Sequence, residues 1–209
     1  MKKHLYSFYR ILARIPHKAL SYLGIRWEYS YLLAQTIDRH AINSKQSKIT
    51  EFCKAHDVKE LTYEDFLSGD KENFTPKKLA IIRERFSRPD RYKAYGIVAD
   101  GKLIYSCWLS FNNIDLPFGI RLPMEEEALF LDDYCSPDAR GRGIHTMMNF
   151  FRLSRLLENG KRSAAVLILT FNKPALKSQI TAGFKKKAKI FTYKIGNHTG
   201  YRIKNIDRN

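Results

Sequence analysis

Leu129-Phe-Leu-Asp-Asp-Tyr-Cys-Ser-Pro-Asp-Ala-Arg-Gly-Arg-Gly-Ile-His145 is the stretch whose reading decides the fold of this chain. An apolar run of strand character passes through Ser136-Pro137-Asp138-Ala139 into a basic, glycine-containing turn, and a helical pattern follows. Gly141 and Gly143 let the backbone bend and bare successive N–H groups. Those groups fall where a helix begins, with its unpaired donors and positive dipole end. Arg140 and Arg142 add charge and forked donors. Residue chemistry alone therefore predicts an anion site, for a phosphate or a pyrophosphate.

Working outward, Glu127–Cys135 reads as a strand. Met147, Met148, Phe150, Phe151, Leu153, Leu156 and Leu157 mark a helix from Ile144 to Glu158 that stops at Asn159-Gly160. Ala164–Thr170 is a continuous apolar run of buried-strand type. Pro174–Ala182 predicts a helix ended by Gly183, and Lys185–Ile195 with Gly200–Ile203 a closing hairpin. Upstream, Asp100-Gly101 joins Tyr92–Ala99 to Lys102–Phe111 in a hairpin, and Asn112–Glu126, with Pro117, Gly119 and Pro123, reads as an irregular loop. Ser47–Arg88 is read as two or three helices. One opens at Ser47, one is capped by Thr62 and Asp65, and one starts at Pro76. Glu28–Ile37 is a strand. The class is α+β: a mixed, mostly antiparallel central sheet flanked by helices.

Residues 1–27 are read as a basic amphipathic helical extension to a single domain over 28–209. Leu5, Phe8, Ile11, Leu12 and Ile15 form an apolar stripe within a helical segment over residues 4–25, interrupted at Pro16. Such a helix either packs on the protein's own core or makes peripheral contact with a membrane surface. No run approaches the roughly 20 apolar residues of a membrane span, and Arg10 and Arg14 interrupt any signal-peptide core. A cytoplasmic location is expected. Cys53, Cys107 and Cys135 suggest neither a disulfide framework nor a zinc site. Lys and Arg number 37 against 21 Asp and Glu, a formal charge of +16. This excess attracts polyanions, leaving nucleic acid open as a partner. Lys185-Lys186-Lys187 with Lys189 fits a charged strand edge that blocks aberrant pairing, or else a contact for a phosphate group or nucleic acid.

Arg140-x-x-Gly143-x-His145 resembles the acetyl-CoA signature of the GNAT superfamily of acyl-CoA N-acyltransferases. Asn172-Lys-Pro-Ala175 and Ala182-Gly183-Phe184 resemble its second hallmark, an asparagine opening the last helix and a Gly-Phe closing it. The motif-level likeness covers about Asp132–Phe184. It implies a GNAT-type sheet with two splayed central strands and acetyl-CoA in the gap. The backbone of Tyr134, Cys135 and Ser136 would pair with the pantetheine. The N–H groups of Arg140, Gly141, Arg142, Gly143, Ile144, His145 and Thr146 would hold the pyrophosphate. Asn172 would touch the pantetheine arm, with Ala175 and Ser178 lining its exit.

The implied activity is transfer of an acetyl group from coenzyme A to a primary amine, such as an amino sugar or a nucleotide-linked sugar, by a monomer or homodimer without a metal. Two departures from the family pattern stand out. His145 replaces a small residue, and Gln179 occupies a position where the family often places an acidic tyrosine. Glu127 at the start of the strand and Asp132 and Asp133 at its end are the candidate bases, Asp132 first among them, with the two aspartates otherwise ion-pair partners of Arg140 or Arg142. Neighbours on a strand face opposite ways, so only one of them turns to a cleft unless a bulge intervenes. The alternative function is a catalytically weak acyl-CoA-binding or polyanion-binding module.

Overall fold

The computed structural model describes residues 24–206. The predicted N-terminal helix, and any membrane contact through it, lies outside the described residues except at its last two positions. Ile25 already begins β1 (Ile25–Thr36), so the predicted boundary at residue 27 falls inside a strand. Short helices follow, α1 (Arg39–Asn43) and α2 (Gln46–Ala55), then β2 (Lys59–Glu60), α3 (Tyr63–Leu67) and α4 (Pro76–Phe86). Thr62 and Asp65 form the expected capping box on α3, and Pro76 opens α4 behind the Thr75 cap.

Next come β3 (Tyr92–Ala99), β4 (Lys102–Asp115), β5 (Arg121–Cys135), α5 (Ile144–Glu158), β6 (Ser163–Leu169), α6 (Lys173–Thr181), β7 (Lys185–Ile195) and β8 (His198–Asn205). Among the described residues no helix is long and apolar enough to cross a membrane.

Among the described residues eight strands form one sheet in the order β2-β3-β4-β5-β6-β1-β7-β8. In it β5 and β6 pair in parallel, and the other neighbours are antiparallel. The first strand of the sequence thus sits inside the C-terminal half of the sheet. Two layers cover it. Leu61, Phe66, Phe74 and Ile82 from α3, α4 and their flanks pack on Trp108 and Tyr134 on one face. On the other face α2, α5 and α6 bury Leu33, Phe130, Val166 and Phe184.

Two expectations need correction. Asn112–Glu126 is no loop: β4 and β5 continue as a long hairpin, with Ile114 opposite Leu122 and Asp115 opposite Arg121. Proline and glycine are confined to a three-residue turn, Pro117–Gly119, apart from Pro123. The alternating Ile114, Leu116, Ile120, Leu122 and Met124 close over Leu129, Ala165 and Ile190, and that burial outweighs the local turn signals. The Lys185–Lys189 run lies on an interior strand, because β8 forms the edge beyond it. The Lys186 and Lys189 ammonium groups sit over the rings of Tyr31 and Tyr29.

Gly96 on β3 is where backbone approach demands a missing side chain. An added Cβ would meet the Tyr105 carbonyl oxygen at 2.1 Å and a Leu61 methyl at 2.7 Å. Neither β4 nor the sheet can shift by that amount cheaply. Gly96→Ala should lower unfolding free energy by about 3 kcal/mol, measured by urea denaturation.

Candidate functional site

β5 and β6 pair only from Glu127↔Ser163 to Phe130↔Val166, although both strands run on toward the same end of the sheet. The parting has a local cause. On the β4 side, Trp108 faces Leu131 and Ser106 faces Tyr134, so Asp132 and Asp133 together oppose Cys107 alone. This is a β-bulge, and Asp132 adopts φ 48° in it. The extra residue keeps Leu131 and Tyr134 in the same apolar layer and bends β5 just where β6 leaves it.

The two carboxylates diverge. Asp132 accepts from Arg85 at 2.6 Å and lies 3.7 Å from Lys78, both on α4. Asp133 takes both arms of Arg152, at 2.7 and 2.9 Å, from α5 on the other face. Desolvation pushes the Asp132 pKa up, but the Arg85 and Lys78 charges outweigh it and hold the group below the usual carboxylate range. Both aspartates line the opening, but their partners are not the predicted Arg140 and Arg142.

Arg152 is wholly buried, over the ring of Phe130, and also donates to Asn149 Oδ1. Because a guanidinium only donates, the Asn149 oxygen must face it, and the amide nitrogen then faces His145 Nε2 at 3.3 Å. Nε2 is therefore the acceptor and Nδ1 carries the proton, 2.9 Å from the Tyr105 hydroxyl. The imidazole at the start of α5 thus turns inward and braces the turn against β4. Burial lowers the His145 pKa, Asp133 opposes the shift and Arg152 adds to it.

The turn itself takes the shape its glycines foretold. Gly141 and Gly143 both have φ 76°, and a Cβ at either would meet nothing, so the positive φ is what requires glycine there. No side chain caps α5, and the Met147 N–H is the first to bond back, to the Gly143 carbonyl. The donors of Ile144, His145 and Thr146, in the first turn of the helix, point out of its N-terminal end, and the exposed Arg142 precedes them. Arg140 folds back, its Nε 3.3 Å from the Cys135 carbonyl. Ser136 gives its N–H to Ile104. By alternation Cys135, not Tyr134 or Ser136, turns its backbone to the gap; the Tyr134 ring is buried against Phe74.

The gap between β5 and β6 is a cavity of about 540 Å³ that reaches both faces of the sheet, lined by Phe130–Asp133, Val166–Leu169, Asn172, Ala175 and Gln179, with Ser30, Arg85 and Asp115 toward the α4 side. A second groove runs between α5 and α6, past His145, Thr146 and Ser178. Ala175 and Ser178, predicted together, thus face different spaces. Asn172 caps α6 through Oδ1, which accepts from the Ala175 N–H at 3.2 Å. Arg152, Arg85 and Ser30 were not singled out from the sequence. Arg152 carried a readable signal, since it interrupts the apolar stripe four residues from both Met148 and Leu156.

A mixed sheet split between two parallel central strands, with an uncapped glycine-arginine turn at the open end, defines the GNAT type of α+β fold. The chain is similar to a GNAT-family protein from Novosphingobium aromaticivorans at 12% identity and TM-score 0.50, over 82% of this chain and 66% of that one. It is similar to a Drosophila protein at 14% identity and TM-score 0.53, over 86% and 55% of the two chains. A third likeness is to the glucosamine N-acetyltransferase region of a fungal multi-domain GH3 β-N-acetylglucosaminidase, at 14% identity and TM-score 0.53, over 88% of this chain and 22% of that one. The chain therefore spans just under two thirds of the first, about half of the second and about a fifth of the third. No family model matches the sequence, and no curated protein matches it.

Two outcomes follow from the network. Arg152→Met should leave Asp133 without its partner and cost about 3–5 kcal/mol, and adding Asp133→Asn should recover part of that loss in urea unfolding. Because the folded pKa of His145 lies below the ordinary value of about 6.5, the unfolded chain binds this proton more readily. The stability it contributes is complete above that ordinary value and is lost as pH falls through the lower folded one. Thermal melting across that range should show a shallower acid loss for His145→Gln than for the parent.

Proposed function

We infer that this chain transfers an acetyl group from coenzyme A to a small primary amine, with an amino sugar as the acceptor class. The observation that carries this reading is the parting of β5 and β6 beyond Phe130↔Val166, which opens a through-sheet gap toward the strand end that leads into the glycine-arginine turn. The residues present fit the cofactor. The free donors at Ile144–Thr146 and the charges of Arg140 and Arg142 suit a pyrophosphate. The Cys135 backbone, turned to the gap with its carbonyl reached by Arg140 Nε, suits an amide-bearing arm, and Ser30 Oγ and Gln179 Oε1 are buried beside the gap without partners among the described residues. When bound, coenzyme A supplies an activated acyl thioester. The chain's own part is to orient the amine, and positioning supplies most of the rate gain. That a glucosamine N-acetyltransferase region shares the fold supports the acceptor class.

One observation favours a second reading, a binding module of low activity. Both bulge carboxylates are engaged by cations, and the lowered pKa of Asp132 makes it a weak base. Thiol release in the presence of amines separates the two readings.

Isothermal titration with acetyl-CoA should give a saturable heat for the parent protein. Arg140→Glu should weaken binding at least about tenfold, the loss of one or more charge-assisted contacts. Gly143→Asp, which strains the φ 76° position and adds a like charge, should abolish it. Equal binding by all three would defeat the assignment of the turn.

A further inference from the structure

Gln179 is 95% buried, at 5% exposure, and its Oε1 has no hydrogen-bond partner among the described residues. An unpaired buried amide oxygen costs about 1–3 kcal/mol, and a donor reaching it from the adjoining cavity recovers that cost. Its depth can be worked out from the topology. β6 and β7 are both antiparallel to β1 and so run parallel to one another, and α6 between them must run back along the sheet. Asn172 lies at the open end of the gap. Seven residues of helix bring Gln179 roughly 10 Å down from it. Three residues of strand bring Val166 a similar distance, roughly 10 Å, down from Leu169. Gln179 is therefore level with Phe130↔Val166, the vertex where the gap closes, and it lines that gap with both. Its backbone is fixed there as well, since its carbonyl accepts the Phe184 N–H that closes α6 and Phe184 packs on Phe130.

The chemistry at the vertex narrows the ligand. The thioester group carries only acceptors, a carbonyl oxygen and a sulfur, and the nearest amide N–H of the coenzyme lies two carbons beyond the sulfur. A primary amine brings N–H donors to the reacting carbon itself. Resting on the acyl-transfer reading above, we propose that Gln179 Oε1 accepts a hydrogen bond from the attacking amine and thereby aims its lone pair at the acyl carbon. In the step so oriented, the nitrogen forms its bond to the carbonyl carbon as the carbon–sulfur bond breaks. The proton lost from nitrogen passes through solvent to the sulfur, giving amide and free thiol. Gln179 exchanges no proton. It orients, and it selects acceptors that keep an N–H at the reacting atom.

Two probes built on coenzyme A test this without knowledge of the acceptor. One carries an N-ethylacetamide group on sulfur and the other the matching ethyl acetate ester, so that they differ only by N–H against O. The parent protein should bind the amide roughly five- to tenfold more tightly than the ester, the yield of one net hydrogen bond. Gln179→Met keeps the volume but has no amide oxygen, and should bring the two probes within twofold of each other. Gln179→Glu keeps an acceptor and should preserve the preference. Coenzyme A itself should bind all three proteins alike. An amide-to-ester ratio that is the same in the parent and Gln179→Met overturns the role of Gln179 while leaving cofactor binding intact. Absence of coenzyme A binding to the parent protein overturns the acyl-transfer reading, and this one with it.

Discussion

Two adjacent carboxylates leave β5 in opposite directions at its bulge, and each ends on a cation that belongs to a different helical layer. Asp132 is tied to Arg85 and Lys78 of α4, and Asp133 to Arg152 of α5. The bulge is thus clamped from both faces of the sheet. Without the clamp, the positive φ at Asp132 would be a cost with nothing to hold it. With it, β5 is bent away from β6 at a fixed point, and the hydrogen bonds that would have zipped the two strands together are forgone. The opening below the glycine turn is a consequence of that trade.

The clamp also reaches the turn. Removing a guanidinium from water costs several kcal/mol, and mutual attraction repays it only where every donor is used well. Arg152 meets most of that condition by spreading its donors over Asp133 and Asn149 and laying its plane on Phe130, although its Nε has no partner. Asn149, oriented by Arg152, fixes the His145 tautomer, and His145 braces the first residues of α5 against Tyr105. A single chain of donors and acceptors therefore links the strand bulge, the helix start and β4. In that setting the bulky ring at position 145 is a tether for the turn.

What the sequence made legible was local chemistry, and what it concealed was partnership at a distance. Gly141 and Gly143 announced their positive φ, Thr62 and Asp65 their capping box, and Asp100-Gly101 its hairpin, because each feature is decided within a few residues. The Asn112–Glu126 segment misled, since its proline and glycine are local signals whereas the alternating apolar residues that make it a hairpin find their partners on β6 and β7. The two aspartates were visible as a pair, but Arg85 lies 47 positions from Asp132, and only the packed helices bring them together. Ala175 and Ser178 look alike in sequence, and the rotation of α6 alone sends one into the gap and the other into the groove beside α5.

The distribution of charge bears on how an amine could be activated in such a place. Within the gap, Asp115, Asp132 and Asp133 each face cationic partners: Arg91 with Arg121, Arg85 with Lys78, and Arg152; Glu28 lines it as a fourth carboxylate. Desolvation there lowers the pKa of an incoming amine and favours its neutral, nucleophilic form. Under the acyl-transfer reading this removes the need for a strong base, which neither bulge carboxylate is placed to supply. The remaining task is to direct the nitrogen lone pair at the acyl carbon. The buried amide oxygen of Gln179, at the depth where the strands meet, is suited to that task and has no other partner among the described residues.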